Sequence, residues 1–520
     1  MLPAAQEAPL HMARYEDRDS GKPGKPYVEE GSKHPVALPS AATKSMVEAW
    51  KLIDTVLAGT RAMRAAGRDY LPQHPYETND AYDDRLEAAV LDNYTLDTLN
   101  QLVGKAFKEP PTPADDVPDD ILTLLEDVDA EGTAIGPFAR AWFRAGVRHG
   151  LCHALVDFTA LQPKEDGAPR TKADDDREGV RPFWRRLEAP DVLSVQGRMQ
   201  GGRLMLTQLR YRDDELVEDG EFGERFVERI KVLRPGTYEV WEKKKGQRGG
   251  KDKWEMTGSG AYGLPFIPLV SFYTAKRGLG EASQPLEDLA HLNVEHWQSK
   301  ADQRNILTVA RFPMLAVSGV QSTDNQAGGG TIVVGPRKLL TTSDPQAKVY
   351  FVEHTGAAVE SGVKDLERLE ERMGSYAAQF LAKQPGNETA TGRALDSAEA
   401  ISPLQAWGMD FKDCLELALD YTAQWLKKGE GAGGSIEFTI DGDLNLTAPE
   451  ELTWLTAARA KGDISRQASL EEAKRRRILP DDFDIEEDAE RIADEPPPPG
   501  TGLDGMMKPP VKKPGAPKAP

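Results

Sequence analysis

Apolar residues along this chain recur first at helical spacing, then at strand spacing, then at helical spacing again. Met46, Ala49, Trp50, Ile53, Val56 and Leu57 fall at steps of three and four, which predicts a helix, with order beginning near Ser45. A turn follows at Gly67 to Pro75, and two more helical patterns run over Asn79 to Leu91 and Tyr94 to Phe107. The Pro- and Asp-rich stretch Pro110 to Asp120 predicts a loop. Helical periodicity returns from Ile121 and over Phe138 to His149, and the compact apolar run Leu151 to Phe158 predicts a buried strand. Residues 162–180 are charged and loop-like. From Trp184 to Phe272 the pattern shortens to strands at 192–195, 204–206, 226–227, 238–241 and 268–270, separated by Gly and Asp turns. A helical start followed by an antiparallel sheet predicts the α+β class.

The second half carries longer elements. Gly278 and Gly280 end the sheet region, and Ser283 and Pro285 then open a helix as cap and first-turn residue, running to about Arg311. Two β-like runs, Met314 to Val317 and Thr331 to Val334, flank a Gly-rich hairpin tip at 326–330, and a third follows at Val349 to Val352. Val359, Val363, Leu366, Leu369, Met373, Tyr376 and Phe380 then form an apolar helical stripe, with Lys364, Asp365, Glu367, Arg368, Glu371 and Arg372 on the other face. After Pro385-Gly386-Asn387 a helical pattern runs from about Ala390 to Lys428, with a kink expected at Pro403 and Gly408. A strand at Ser435 to Ile440 precedes a last helical region over 449–493, and no internal repeat is visible.

Composition narrows the function classes. The chain has 520 residues, which predicts two to four sub-domains, and a formal net charge of −20. Tight phosphate binding by the whole surface is disfavoured, because such binding needs Lys and Arg to replace counterions. Cys152 and Cys414 are the only cysteines, which suits buried, reduced thiols in a cytosolic protein. No apolar run is long enough for a membrane span, and the N-terminus has no secretory apolar region.

Sharper motifs fail on their own terms. Gly246 to Lys251 lacks the glycine spacing of a phosphate loop, and Asp252 stands where Ser or Thr would hold magnesium. Carboxylates cluster at 174–176, at Asp441 and Asp443, and at 481–488; the last two clusters lack the Gly and Glu positions of a calcium loop, so they read as solvated acids. His149 and His153 flank Cys152, but no third metal ligand is evident. The residues therefore name no catalytic, cofactor or metal site.

The order of elements resembles the portal, or head-to-tail connector, proteins of tailed bacteriophages, in particular the branch defined only by a domain of unknown function. The resemblance rests on Trp50 to Pro72, Tyr82-Asp83 with Arg85-Leu86, Asn100 to Phe107, and His149 to Asp157. It rests further on Pro285 to Asp302 with Leu286, Asp288, Leu289, Leu292, Asn293 and Trp297, on Thr389-Ala390-Thr391, on Ala460 to Ser465, and on Leu479 to Ile492. Together these span residues 45–495. The resemblance implies an α+β portal fold: an arm at 1–44, a wing at 45–280, a first stem helix at 281–311, a clip at 312–356 and a second stem helix at 357–383. Residues 384–445 would hold a tunnel loop, the kinked helix and a returning wing strand, 446–495 a crown, and 496–520, Pro- and Lys-rich, a disordered tail.

It also implies function: a non-enzymatic ring, usually of twelve copies, at the capsid portal vertex of the virion, assembled in the host bacterial cytoplasm. Double-stranded DNA would pass through it. Partners would be the terminase large subunit, head-tail adaptors, and the major capsid and scaffold proteins, with no cofactor and no membrane. Lys383, Gln384, Asn387 and Arg393 are the candidates to approach DNA, and Arg337, Lys338, Asp344 and Gln346 those to meet motor or adaptor. Both sets read equally as ordinary solvated loop residues. The alternatives are a metal-dependent nuclease using Asp441 and Asp443, or another multimeric virion part such as an adaptor or scaffold.

Overall fold

The computed structural model describes residues 34–159, 179–244, 253–310, 314–318, 348–352, 356–381 and 401–440, with Arg459, Ser465 and 467–470 beyond them. The chain divides into Met1–Asp441 and Gly442–Pro520. In the second unit the Ser465 hydroxyl accepts from the Ala468 amide, starting a helical turn. The rest of the expected crown, and the expected tail, lie outside the described residues.

The first unit opens with α1 (Ala41–Leu57), α2 (Gly59–Ala66), α3 (Asn79–Ala88) and α4 (Tyr94–Ala106). A short strand, β1 (Thr112–Pro113), precedes α5 (Asp119–Leu125) and α6 (Ile135–His149). The stripe read on α1 is its core face: Met46, Ala49, Trp50, Ile53 and Val56 are buried. Ser40 caps this helix by accepting from the Thr43 amide, so it starts earlier than Ser45. The expected arm is shortened too. Val36 and Ala37 bury against Leu193, Ile230 and Val232, and Arg210 donates to the carbonyls of Pro35 and Val36. The Pro, Gly, Lys and Glu composition of 1–44 hid these two apolar anchors.

Strands follow as β2 (Leu151–Phe158), β3 (Pro182–Glu188), β4 (Val192–Gln200), β5 (Arg203–Arg212), β6 (Glu215–Glu218), β7 (Glu224–Val227), β8 (Arg229–Arg234), β9 (Thr237–Lys244), β10 (Lys253–Ala261) and β11 (Leu269–Tyr273). They form a three-stranded sheet in the order β11-β2-β3 and a five-stranded sheet in the order β10-β9-β8-β5-β4. The β6–β7 hairpin stands between β5 and β8 in the chain. Between β4 and β5, Gly201 and Gly202 both have positive φ (59° and 79°), as a two-residue hairpin turn with right-twisted strands requires. A small hairpin of β12 (Lys276–Gly278) and β13 (Glu281–Ala282) closes the region.

Then come α7 (Glu287–Ala310), β14 (Met314–Ser318), β15 (Lys348–Val352), α8 (Ala357–Gln379), α9 (Pro403–Trp425) and β16 (Ile436–Glu437), which pairs with β1. Two readings of this half are corrected. Ser283 does not cap α7; its amide donates to Ala275 and extends the preceding hairpin, so the helix starts at Glu287. Pro403 does not kink a longer helix. It sits at the start of α9, where Ser402 and Gln405 form a capping box. Gly408 serves packing: a Cβ there would lie 2.5 Å from Ile440 Cδ1. The partner of 314–318 is 348–352, while Thr331 to Val334 lie outside the described residues.

α9 packs across the three-stranded sheet, and indole donors tie the layers. Trp184 donates to Thr422 Oγ1 (2.8 Å), Trp425 to the Val156 carbonyl (2.8 Å), Trp142 to Cys152 (3.1 Å) and Trp407 to Thr274 (2.8 Å). Satisfying each buried N–H makes the burial of these large rings favourable.

Candidate functional site

The candidate site is the pair of long helices α7 and α8 with the strands between them. At 24 and 23 residues they are about 35 Å long. Three contacts fix their direction. Gln303 Nε2 donates to the Val359 carbonyl (2.8 Å), His296 Nε2 lies 3.2 Å from Glu370 Oε1, and the Tyr376 hydroxyl donates to Asp288 Oδ2 (3.3 Å). One residue number falls as the other rises, so the helices run antiparallel. Gly362 leaves room for the Gln303 side chain, since a Cβ there would lie 2.1 Å from Gln303 Oε1. At the end where α7 finishes and α8 begins, β14 and β15 pair in register, Leu315 opposite Phe351.

Of the stripe read on α8, Leu369 and Met373 are buried, while Val363 is exposed. Packing against α7 and α4 covers only part of the apolar face. The remainder is charged and open: Asp288, His291, Glu295 and Arg304 on α7, and Glu360, Lys364, Asp365, Glu367, Arg368, Glu371 and Arg372 on α8.

The pair is anchored to the helical head through α7. Asn293 is buried; its Oδ1 accepts from the Thr95 amide and hydroxyl (both 3.1 Å), and its Nδ2 donates to the Asp92 carbonyl (2.8 Å). Lys300 pairs with Asp92. Arg85, buried on α3, is the second anchor. Its guanidinium donates twice to the Glu77 carboxylate (2.8 Å each), to the Pro72 carbonyl (2.8 Å) and to Asp302 Oδ1 (3.0 Å), which His74 also meets. These charge-assisted bonds from Arg85 hold the Glu77 carboxyl down at about 2. Arg85 and Asn293 lie within stretches that carry the family resemblance, and both tie α7 to the helical head.

The metal-like spacing around Cys152 resolves into separate contacts. His149 ends α6 with Nε2 2.9 Å from Asp54 Oδ1, while His153 on β2 places Nδ1 2.7 Å from Ser271 Oγ. Burial holds the His153 imidazole at about 4, so it is neutral near pH 7. Both thiols are free. Cys152 is buried; Cys414, expected buried, is half-buried, and its desolvation beside Asp410 and Asp413 pushes the thiol up to about 12. Among the described residues no three His, Cys, Asp or Glu converge as metal ligands, and no helix is long and apolar enough to cross a membrane. Lys383, Gln384, Asn387 and Arg393 lie outside the described residues, as do Arg337, Lys338, Asp344 and Gln346, and Asp441 and Asp443.

Residues 285–426 match DUF4055, a domain of unknown function. The span holds α7, β14, β15, α8 and all of α9, and it includes two stretches that carry the sequence resemblance, Pro285 to Asp302 and Thr389 to Thr391. No curated protein matches the chain. Among solved structures it is similar to a chain from the neck of an empty gene transfer agent particle computed with C6 symmetry. That likeness has 13% identity, covers 80% of this chain and 99% of the other, and has a TM-score of 0.36. A chain from the virion of the native gene transfer agent particle shows 13% identity over 80% of this chain and 98% of its own, at a TM-score of 0.32. One from the neck of the native particle computed with C12 symmetry shows 12% identity over 79% and 97%, at 0.33.

Proposed function

We propose that the chain is a portal subunit: a structural component of a phage-type virion that forms a ring around a DNA channel at one capsid vertex. The observation that carries this reading is the antiparallel pair α7 and α8. The two helices are continuous with a strand pair at one end, are locked by Arg85 and Asn293 to a helical head, and lie within the span matching DUF4055. A rigid helix pair with one covered face and one open charged face suits a wall built from repeated copies. The proposal includes twelve copies in the capsid, with terminase large subunit and then head-tail adaptors docking at the clip through Arg337, Lys338, Asp344 and Gln346. Major capsid and scaffold proteins would surround it. A net charge of −20 favours sliding over sticking, because acidic walls offer phosphate no deep well.

Contact with DNA then falls to the tunnel loop. Particles assembled with Lys383, Gln384, Asn387 and Arg393 all changed to alanine should package or retain less DNA than wild type. Quantifying DNA per filled head checks this; unchanged packaging and retention would remove these residues from the channel.

A further inference from the structure

Two hairpins at opposite ends of β5 carry complementary exposed faces. The first is the β4–β5 hairpin. Arg198 stands opposite Met205, and Gln200 opposite Arg203, so alternation puts all four on one face. Arg198 and Arg203 are exposed and have no side-chain hydrogen bond or ion pair among the described residues. Met205 is 39% exposed, and on the other face Met199 and Leu204 pair while 65% and 48% exposed.

The second is the β6–β7 hairpin. Leu216 stands opposite Phe226 and Glu218 opposite Glu224, again on one face. Leu216 and Phe226 are 37% and 42% exposed, and Phe222 at the tip is 92% exposed. Glu218 and Glu224 have no side-chain hydrogen bond or ion pair among the described residues. Two like charges directly opposite on a hairpin are unfavourable within one chain, and a cation from outside relieves them.

We propose that the β4–β5 hairpin of one copy docks on the β6–β7 hairpin of the next, Arg198 and Arg203 against Glu218 and Glu224, with the apolar residues beside them in contact. The proposal rests on the ring reading above. A second copy is the occupant because one chain supplies both halves: two unpaired arginines with apolar neighbours at one end, two unpaired glutamates with apolar neighbours at the other. β5 is ten residues long, about 33 Å, so the two faces cannot meet within one molecule. Complementary patches at opposite ends give a head-to-tail contact, which closes into a ring when the rotation permits.

The test uses the full chain with Arg198→Glu/Arg203→Glu, with Glu218→Arg/Glu224→Arg, and with an equimolar mixture of the two, read by mass photometry and sedimentation velocity. Each reversal alone sets like charges against each other and should weaken assembly by at least about tenfold in dissociation constant. In the mixture every junction regains opposite charges, so rings should return in alternating order. All four positions are surface residues, so far-UV circular dichroism and melting temperature should stay at wild-type values. If a reversal melts early, Arg198→Gln/Arg203→Gln and Glu218→Gln/Glu224→Gln carry the same test without rescue by mixing. Wild-type rings together with undiminished assembly of both variants, or folded variants that mixing fails to rescue, would overturn the hairpin contact alone. A wild-type chain that never associates overturns both this contact and the ring.

Discussion

Replacing Arg85 with alanine should destabilise the protein by about 3–5 kcal/mol, a large part of a typical domain's stability. Arg85 is buried and answers Glu77, Asp302 and the Pro72 carbonyl at once. Its removal leaves the Glu77 carboxylate, itself only 8% exposed, without its counter-charge. It also cuts the link between the helical head and α7. Glu77 fixes the pH dependence. Its carboxyl is held at about 2 against an ordinary 4.5 by the Arg85 hydrogen bonds. A depressed carboxyl contributes stability that is present above its unfolded value and lost as pH falls toward the folded one. The gap between wild type and Arg85→Ala should therefore be full at pH 7 and shrink between about 4.5 and 2. Urea denaturation across that range measures it; a gap that stays constant with pH would take the Glu77 pairing out of the explanation.

Phe411→Ala should cost a similar amount, about 3–5 kcal/mol, through cavity formation. Phe411 is fully buried on α9 and is the hub of an aromatic cluster. Its ring lies 5.1 Å from Trp142, 5.3 Å from Phe143, 4.9 Å from Phe272, 5.9 Å from Phe438 and 6.2 Å from Phe107, all five edge-on, at interplanar angles of 68° to 79°. These neighbours come from α6, β11, the segment after β16 and the end of α4, so the void would open where helices and sheet meet. Rigid aromatic walls collapse poorly into such a void. Phe411→Leu keeps most of the volume and should cost less than half as much. Thermal unfolding of the two variants compares them directly; equal losses would mean that ring geometry, rather than volume, sets the cost.

Much of the fold is legible in the sequence where a single periodicity operates. The stripe Met46 to Val56 buries as read, and Leu151 to Phe158 forms the central strand of its sheet. What escapes reading is charge that is buried because it is paired. β3 contains Arg185 and β8 contains Lys231, and these meet Asp213 and Asp157 between the sheets, so neither strand looks apolar in sequence. The start of α9 is legible only when Ser402, Pro403 and Gln405 are taken together as a helix start; Pro403 taken alone predicts a kink that the structure does not have. For the candidate site, helix α8 is written in its own apolar stripe, whereas α7 carries no single stripe and is legible only as a helical stretch after Pro285. Their anchors are not legible, because Arg85 meets Asp302 across 217 positions of sequence and Thr95 meets Asn293 across 198. Glu218 and Glu224 become opposed only through hairpin register, which charge composition does not reveal.

The central claim is that many copies of this chain build one channel. Negative-stain electron microscopy of the purified full chain, with two-dimensional classes and mass photometry on the same sample, tests it most directly. The expected result is closed rings with an axial hole and a mass near twelve subunits. Monodisperse monomers or dimers across a range of salt concentrations would contradict it.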